Sequence, residues 1–336
     1  MRKLLNRLLT TLASVQWPLA ALALLLLFNA IFTEGFFELK VDDGRVSGTL
    51  VDILNHGSKV AIVAIGMTLV IATAGIDLSV GAVLAIAGAV AATLVAESGV
   101  PWHAAIAAAL VVAAFCGLCN GMLVVFLRLQ PIVATLTLMV AGRGVAQLIT
   151  DGFIVTFDNP QLVYIANGSL LGLPVPVTLL AVLLIVCALA TRRTTLGLFI
   201  QAVGDNDVAS RLAGVPDRVV RLIAYGFCGL CAGLAGLIEC SYIKAADANN
   251  AGQLIELDAI LAVVIGGTAL TGGRFLLLGS IIGALIMETL TRTLWAHDVS
   301  ADIVPAPKAI AVIIVCLLQS PVVRARLAAL RERRRA

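Results

Sequence analysis

Apolar runs separated by short polar stretches organise the chain from end to end. They lie at about 17–32, 60–74, 78–95, 102–127, 131–149, 177–190, 219–240, 257–270, 275–294 and 308–318. Several approach the roughly 20 residues that a bilayer-spanning helix requires. Pro131 suits the first turn of the fifth run, and Pro305 and Pro307 precede the tenth. The pattern predicts an all-α protein, a polytopic transmembrane helical bundle of about ten spans. Two breaks fall between neighbouring runs, GIDLSVG at 75–81 and TGGR at 271–274. Interrupted helices line the paths of transporters, and glycine within spans also serves plain close packing.

Composition agrees with a membrane protein. Of 336 residues, 60% are hydrophobic and 13% charged, with a mean hydropathy of +1.05. Soluble proteins carry about a quarter charged residues. The basic residues are unevenly shared between alternate connections. Arg2, Lys3, Arg7, Arg128, five arginines within 192–221, Arg274 and six arginines within 324–335 fall on one side. Lys40, Arg45, Lys59 and Lys244 fall on the other, while Arg143, Arg292 and Lys308 lie inside runs. Cytoplasmic loops carry the Lys and Arg excess, so both termini are expected in the cytoplasm. A basic start before an apolar run also describes a signal peptide. No clear small-residue cleavage site follows, so an uncleaved first span is expected. The chain then divides into a cytoplasmic N-terminus (1–16), a transmembrane domain (17–320) and a basic cytoplasmic tail (321–336).

The segment 191–222 is the longest basic polar stretch between spans, with Arg192, Arg193, Arg211, Arg218 and Arg221. Asn206 can cap a helix that starts at Asp207, with Gly204 expected to turn the chain just before the cap. Gly214 and Pro216 supply its stop. That leaves about seven residues, roughly 10 Å of helix. Such a helix cannot span a membrane and is marginal alone in water. Either it is held by a partner protein, or the stretch is an ordinary solvated loop.

Catalytic and metal signals are weak. No Gly-Lys dipeptide occurs, so there is no Walker A nucleotide loop. No Ser/His/Asp arrangement and no His-Glu-x-x-His motif stand out. His56, His103 and His297 show no metal-ligand spacing, and no metal is expected. The C-x-x-C pairs in FCGLCNG (115–121) and FCGLCAG (227–233) sit among small apolar residues, which favours helix packing over redox or zinc chemistry. Asp77, Asn120, Arg143, Gln147, Glu239 and Asp258 are polar residues in or beside spans, and they are the candidates for a translocation path. A charge at the centre of a span costs about 2.5–3.5 kcal/mol, so each must be paired, face water or sit at an interface. Helix capping at Asp77, and anchoring or interhelical bonding at the others, are the structural alternatives. An ion-gradient-driven secondary transporter and an intramembrane enzyme also remain open on these residues.

Three blocks resemble the permeases of binding-protein-dependent sugar ABC importers of the ribose type: residues 66–89, 196–215 and 257–286. Residues 141–160 and 246–260 are most similar to galactofuranose importer permeases. The resemblance covers about 50–320. It implies an inner-membrane permease that works as a homo- or heterodimer with a second permease copy or homologue. It also implies a cytoplasmic ATP-binding subunit that binds the ATP, and a periplasmic sugar-binding protein. No cofactor of the chain's own and no nucleic-acid partner are expected. The 191–222 stretch becomes the ATPase-coupling loop, carried by Gly204, Asp205, Asn206, Asp207, Ala209, Ser210 and Gly214. Residues 202–210 match the family pattern A-x-G-x-N-x-x-A-A except that Ser210 replaces the last Ala. Asp158, Asn159, Asp247, Asn249 and Asn250 are candidates to face the binding protein. The segment 37–49 is longer than the family leads one to expect, with no assigned role.

Overall fold

The computed structural model describes residues 2–42, 45–170, 172–300 and 302–319. The described helices are α1 (Arg2–Phe32), α2 (Thr49–Ala72), α3 (Val80–Ala96), α4 (Trp102–Val125), α5 (Pro131–Ile149), α6 (Pro160–Asn167) and α7 (Val175–Arg193). They continue with α8 (Leu196–Asp205), α9 (Asp207–Leu212), α10 (Asp217–Ile243), α11 (Ile255–Ile265), α12 (Leu277–Ala296) and α13 (Pro305–Gln319). Short antiparallel pairs join β1 (Lys40–Asp42) to β2 (Arg45–Ser47), β3 (Val155–Thr156) to β6 (Ala245–Ala246), and β4 (Ser169–Leu170) to β5 (Leu173–Pro174). The bundle is helical, as the apolar runs predict.

Seven described helices are long and apolar enough to cross a membrane: residues 15–32 of α1, then α2, α4, α5, α7, α10 and α12. The other expected spans are shorter: α3 has 17 residues, α11 has 11 and α13 has 15. Three expected boundaries shift. Helix α1 runs on through most of the stretch expected as an N-terminal tail. Helix α2 begins at Thr49, so Asp52, His56 and Lys59 belong to a helix and not to an outside loop. The eighth run stops at Ile265, and 266–276 is irregular. Hydropathy misplaces α2 because its first turns carry Asp52, His56 and Lys59, which meet Arg292 of α12 and Tyr242 and Glu239 of α10. The tail 321–336 lies outside the described residues.

Helices α2, α3 and α10 form the centre, and α4 packs against α10. Most of α3 and the inner half of α2 are buried, as are the small residues of α10. Helix α3 is almost entirely Ala, Gly, Val, Ile and Leu. A helix apolar on every side is either buried or lipid-facing. The two FCGLC motifs pack on each other: a Cβ on Gly117 would sit 3.0 Å from the Gly229 Cα and collide with the Tyr225 carbonyl oxygen. Only glycine allows α4 and α10 this approach. The described cysteines are free, and Cys187, Cys228, Cys231 and Cys240 are buried. Buried hydrogen bonds link spans, with Asn29 Nδ2 donating to Thr293 Oγ1 at 2.8 Å and Thr68 lying 2.7 Å from Ser280. Helices α1, α5 and α7 leave many large apolar side chains exposed, including Leu24, Val140 and Val182.

The connections meet in two groups. At one end, 73–79, the start of α5, α8 and 266–276 touch one another: Thr135 donates to the Ile76 carbonyl at 3.3 Å, and Gly273 N–H to the Ala72 carbonyl at 3.0 Å. At the other end, β3 pairs with β6, joining 150–174 to 244–254. The arginines expected in the cytoplasm, Arg128, Arg193 and Arg274 among them, lie by the first group, which is called the inner end on that expectation, and the second group the outer end.

Candidate substrate cavity and docking loop

A cavity of about 460 Å³ opens at the outer end. Small-molecule sites commonly occupy about 300–1,000 Å³. Its walls come from the outer turns of α2, α10, α11, α12 and α13 and from residues 250–253. Lys59 of α2 pairs with Glu239 of α10. Lys308 of α13 pairs with Asp258 of α11 at 2.9 Å. Arg292 of α12 pairs with Glu288 at 3.0 Å and reaches Asp52 of α2 at 3.8 Å. The Arg292 guanidinium also stacks over the Trp295 ring, 5.1 Å from its centroid. His56 and Tyr242 meet edge-on with ring centroids 4.6 Å apart. Each cation on the wall is matched by a carboxylate, so the lining is polar yet balanced in charge. Such a surface offers many donors and acceptors to hydroxyl groups, with aromatic faces beside them.

The expected path residues separate. Asp258 and Glu239 line this cavity. Arg143 and Gln147 instead hold the outer loop that forms part of its wall. Arg143 Nη1 donates to the carbonyls of Ala251 at 2.6 Å and Ala248 at 3.2 Å, and Gln147 Nε2 to Asn249 Oδ1 at 2.6 Å. Asp77 and Asn120 lie at the inner end, both buried. Asp77 Oδ1 accepts from Ser79 N–H at 2.9 Å, Ser79 Oγ at 2.7 Å and Asn120 Nδ2 at 3.3 Å. Asp77 therefore closes a turn on Ser79, the residue just before α3, and ties that turn to α4 through Asn120. Sequence reasoning missed His56, Lys59, Glu288, Arg292 and Trp295. Lys59 was visible as a charge, but its partner Glu239 lies 180 positions away. Glu288 and Arg292, four residues apart on α12, were legible as a same-face ion pair.

The outward loops are held by their own polar residues. Asn159 caps α6, its Oδ1 accepting from Leu162 N–H at 3.0 Å, and Asp158 is exposed. Asp247 accepts from the backbone N–H of Asn249 and Asn250 and from the Asn250 side chain at 2.8–3.1 Å. Burial pushes the Asp247 carboxyl up, but these bonds and the Arg143 charge outweigh it and hold it below the ordinary carboxylate value.

At the inner end the basic loop folds into α8 and α9. Asn206 Oδ1 accepts from Ala209 N–H at 2.9 Å, as the capping pattern predicts, and α9 has six residues. Gly214 follows with φ +81°. Ser210 is buried and donates to the Asp207 carbonyl at 3.0 Å. Arg211 pairs with Asp217 at 2.7 Å, and Arg221 with Asp207 at 3.4 Å. These bonds brace α9 against the start of α10. Gly204 is not a turn residue. It sits within α8, where a Cβ would collide with the Ala72 carbonyl oxygen. Ala209 is exposed beside Val208 and Leu212, which are 61% and 85% exposed. These two large aliphatic side chains stand bare on a polar, arginine-rich loop. Val208 and Leu212 were legible as apolar letters, but only the fold shows which way they point.

The model of the branched-chain amino acid transport system / permease component family matches residues 49–318. The chain belongs to this permease family. The permease is 49% identical over 310 residues to the galactofuranose transporter permease protein YtfT of Escherichia coli (strain K12), covering 91% of each chain. It is 39% identical to the fructose import permease protein FruF of Bifidobacterium longum (strain NCC 2705), over 92% of the permease and 88% of FruF. It is 38% identical to the ribose import permease protein RbsC of Escherichia coli (strain K12), over 91% of the permease and 93% of RbsC. No solved structure matches the permease. The matched region holds the cavity, both helix breaks and the basic α8–α9 loop. Among the described residues, no group of three or more His, Cys, Asp or Glu side chains lies together as a metal site would.

Proposed function

We propose that the chain is the membrane-spanning subunit of an ABC importer that carries a neutral monosaccharide across the inner membrane. The observation that carries this reading is the charge-balanced, aromatic-flanked outer cavity. Paired charges such as Lys59–Glu239 and Lys308–Asp258 present hydrogen-bonding groups without the net field that an ionic cargo requires. The sugar names of the relatives agree with it, and the similarity to YtfT favours a furanose cargo such as galactofuranose over ribose or fructose. In this reading a periplasmic sugar-binding protein delivers cargo to the outer loops around Asp158, Asn159, Asp247, Asn249 and Asn250. A cytoplasmic ATP-binding subunit docks on α8–α9 and supplies the energy, and a second permease copy or homologue completes the membrane unit. The chain performs no catalysis itself.

Reconstitution tests the reading. The chain, a candidate ATP-binding subunit and a candidate sugar-binding protein are combined in proteoliposomes with labelled galactofuranose, ribose or fructose. Uptake that needs ATP and survives an uncoupler supports the proposal. Uptake that collapses with the ion gradient and persists without ATP would overturn it in favour of a secondary transporter.

A further inference from the structure

We infer that movement of the docking loop reaches the outer cavity through one backbone junction, in which Gly204, Ala72 and Gly272–Gly273 are locked together. The inference rests on the proposed docking of an ATPase on α8–α9. Three segments meet at this point. Ala72 is the last residue of α2, Gly204 lies in the last turn of α8, and Gly272–Gly273 lie in the break between α11 and α12. The Ala72 carbonyl accepts from Gly273 N–H at 3.0 Å and fills the space that a Gly204 Cβ would need. A Cβ on Gly272 would lie 2.8 Å from the Gly204 carbonyl oxygen and 2.9 Å from Ala74 N, and one on Gly273 would lie 3.2 Å from Asp205 Cβ. Gly272 and Gly273 also have φ of +86° and +81°, which L side chains rarely adopt. Backbone therefore touches backbone on all three sides, with no flexible side chain between to absorb a displacement.

Three of the five helices that line the cavity, α2, α11 and α12, leave from this junction. Helix α2 carries His56 and Lys59, α11 carries Asp258, and α12 carries Glu288, Arg292 and Trp295. About one turn in from their inner ends, α2 and α12 are bonded again by Thr68 and Ser280. Asn206 alone separates α8 from the exposed helix α9. A push on α9 reaches α8 across this single residue, and α8 cannot move without carrying the inner ends of α2, α11 and α12. Packed elements of this kind shift as units because close-packed contacts do not deform continuously.

The test uses the complete complex of permease, ATPase and binding protein in lipid nanodiscs. A reporter Gln253→Cys, on a background without the native cysteines, reads cavity access to a thiol reagent with and without ATP and vanadate. In Gly272→Ala we expect the ATPase to co-purify as in wild type, while sugar moved per ATP falls about tenfold, a middling value for a lost coupling. The nucleotide-dependent change in reporter labelling should vanish with it. If that labelling change persists in Gly272→Ala, the inference is wrong. Loss of ATPase co-purification in this variant would also sink it, since Gly272 would then act on docking. A second variant leaves the glycines intact: Ala74→Cys with Thr271→Cys, joined by a short reducible cross-linker. Segments that move as one body tolerate the tether, so transport should stay within about twofold. Arrest that reverses on reduction would overturn the inference. If the wild-type chain holds no ATPase, the docking reading itself fails, a result distinct from any of these.

Discussion

Lys59 of α2 and Glu239 of α10 form an ion pair across the outer cavity, 180 positions apart in the chain. Each keeps roughly a fifth of its side chain open to the cavity. The pair is thus both an interhelical tie and part of the wall. Glu239→Leu leaves Lys59 without its partner, and an uncompensated, partly buried charge costs more than loss of the pair as a whole. The double variant Lys59→Met/Glu239→Leu is therefore expected to melt higher than Glu239→Leu alone, with a coupling energy of about 1 kcal/mol. It should still transport poorly, because the cavity has lost both polar groups. Melting of the purified permease and uptake at matched expression check the two parts. Wild-type uptake by the double variant would remove the pair from the path.

Arg143 acts on the cavity through the loop it holds. Arg143→Leu strips two carbonyls, those of Ala248 and Ala251, of a charged donor. Loss of such a bond costs about 1–3 kcal/mol. The outer loop should loosen and uptake should fall, with membrane level and ATPase association unchanged. Hydrogen exchange over 244–254 reads the loosening directly, and unchanged protection there would refute the holding role.

On the inner side the exposed face of α9 is the point of attack. Ala209→Arg places a long charged side chain beside Val208 and Leu212 on a surface proposed to be covered. Co-purification of the ATPase and transport should both be lost, while the amount of chain in the membrane stays the same. Normal transport with normal co-purification would show that this face is not the docking surface.

Topology is checked by single cysteines on a background without the native ones. Glu97→Cys and Asp158→Cys should react with an impermeant thiol reagent in intact cells. Arg193→Cys and Arg218→Cys should react only after the membrane is opened. All four residues are exposed, so burial does not confuse the result. Labelling of 193 or 218 in intact cells would invert the assignment of sides.

The sequence by itself determined the helical membrane bundle, the two helix breaks, the cap at Asn206 and the glycine packing of the FCGLC motifs. These are local or periodic features: hydropathy, capping and small-residue spacing act over a few turns and leave their mark in consecutive letters. The tertiary structure alone decided which polar residues share a space. Lys59 and Glu239, or Asp258 and Lys308, meet because α2, α10, α11 and α13 converge at one end of the bundle. Nothing in the local pattern at either position specifies its partner. The same holds for Gly204, which reads as a turn in the sequence but is required inside a helix by the Ala72 carbonyl from a distant segment. Asp77 shows the reverse: its charge suggests a path, and its actual bonds are to Ser79 two residues away and to Asn120 on the neighbouring helix. Periodicity records which faces of a helix are apolar. Only the packing of helix against helix determines whether a polar face turns to water, to an ion-pair partner or to a docking subunit.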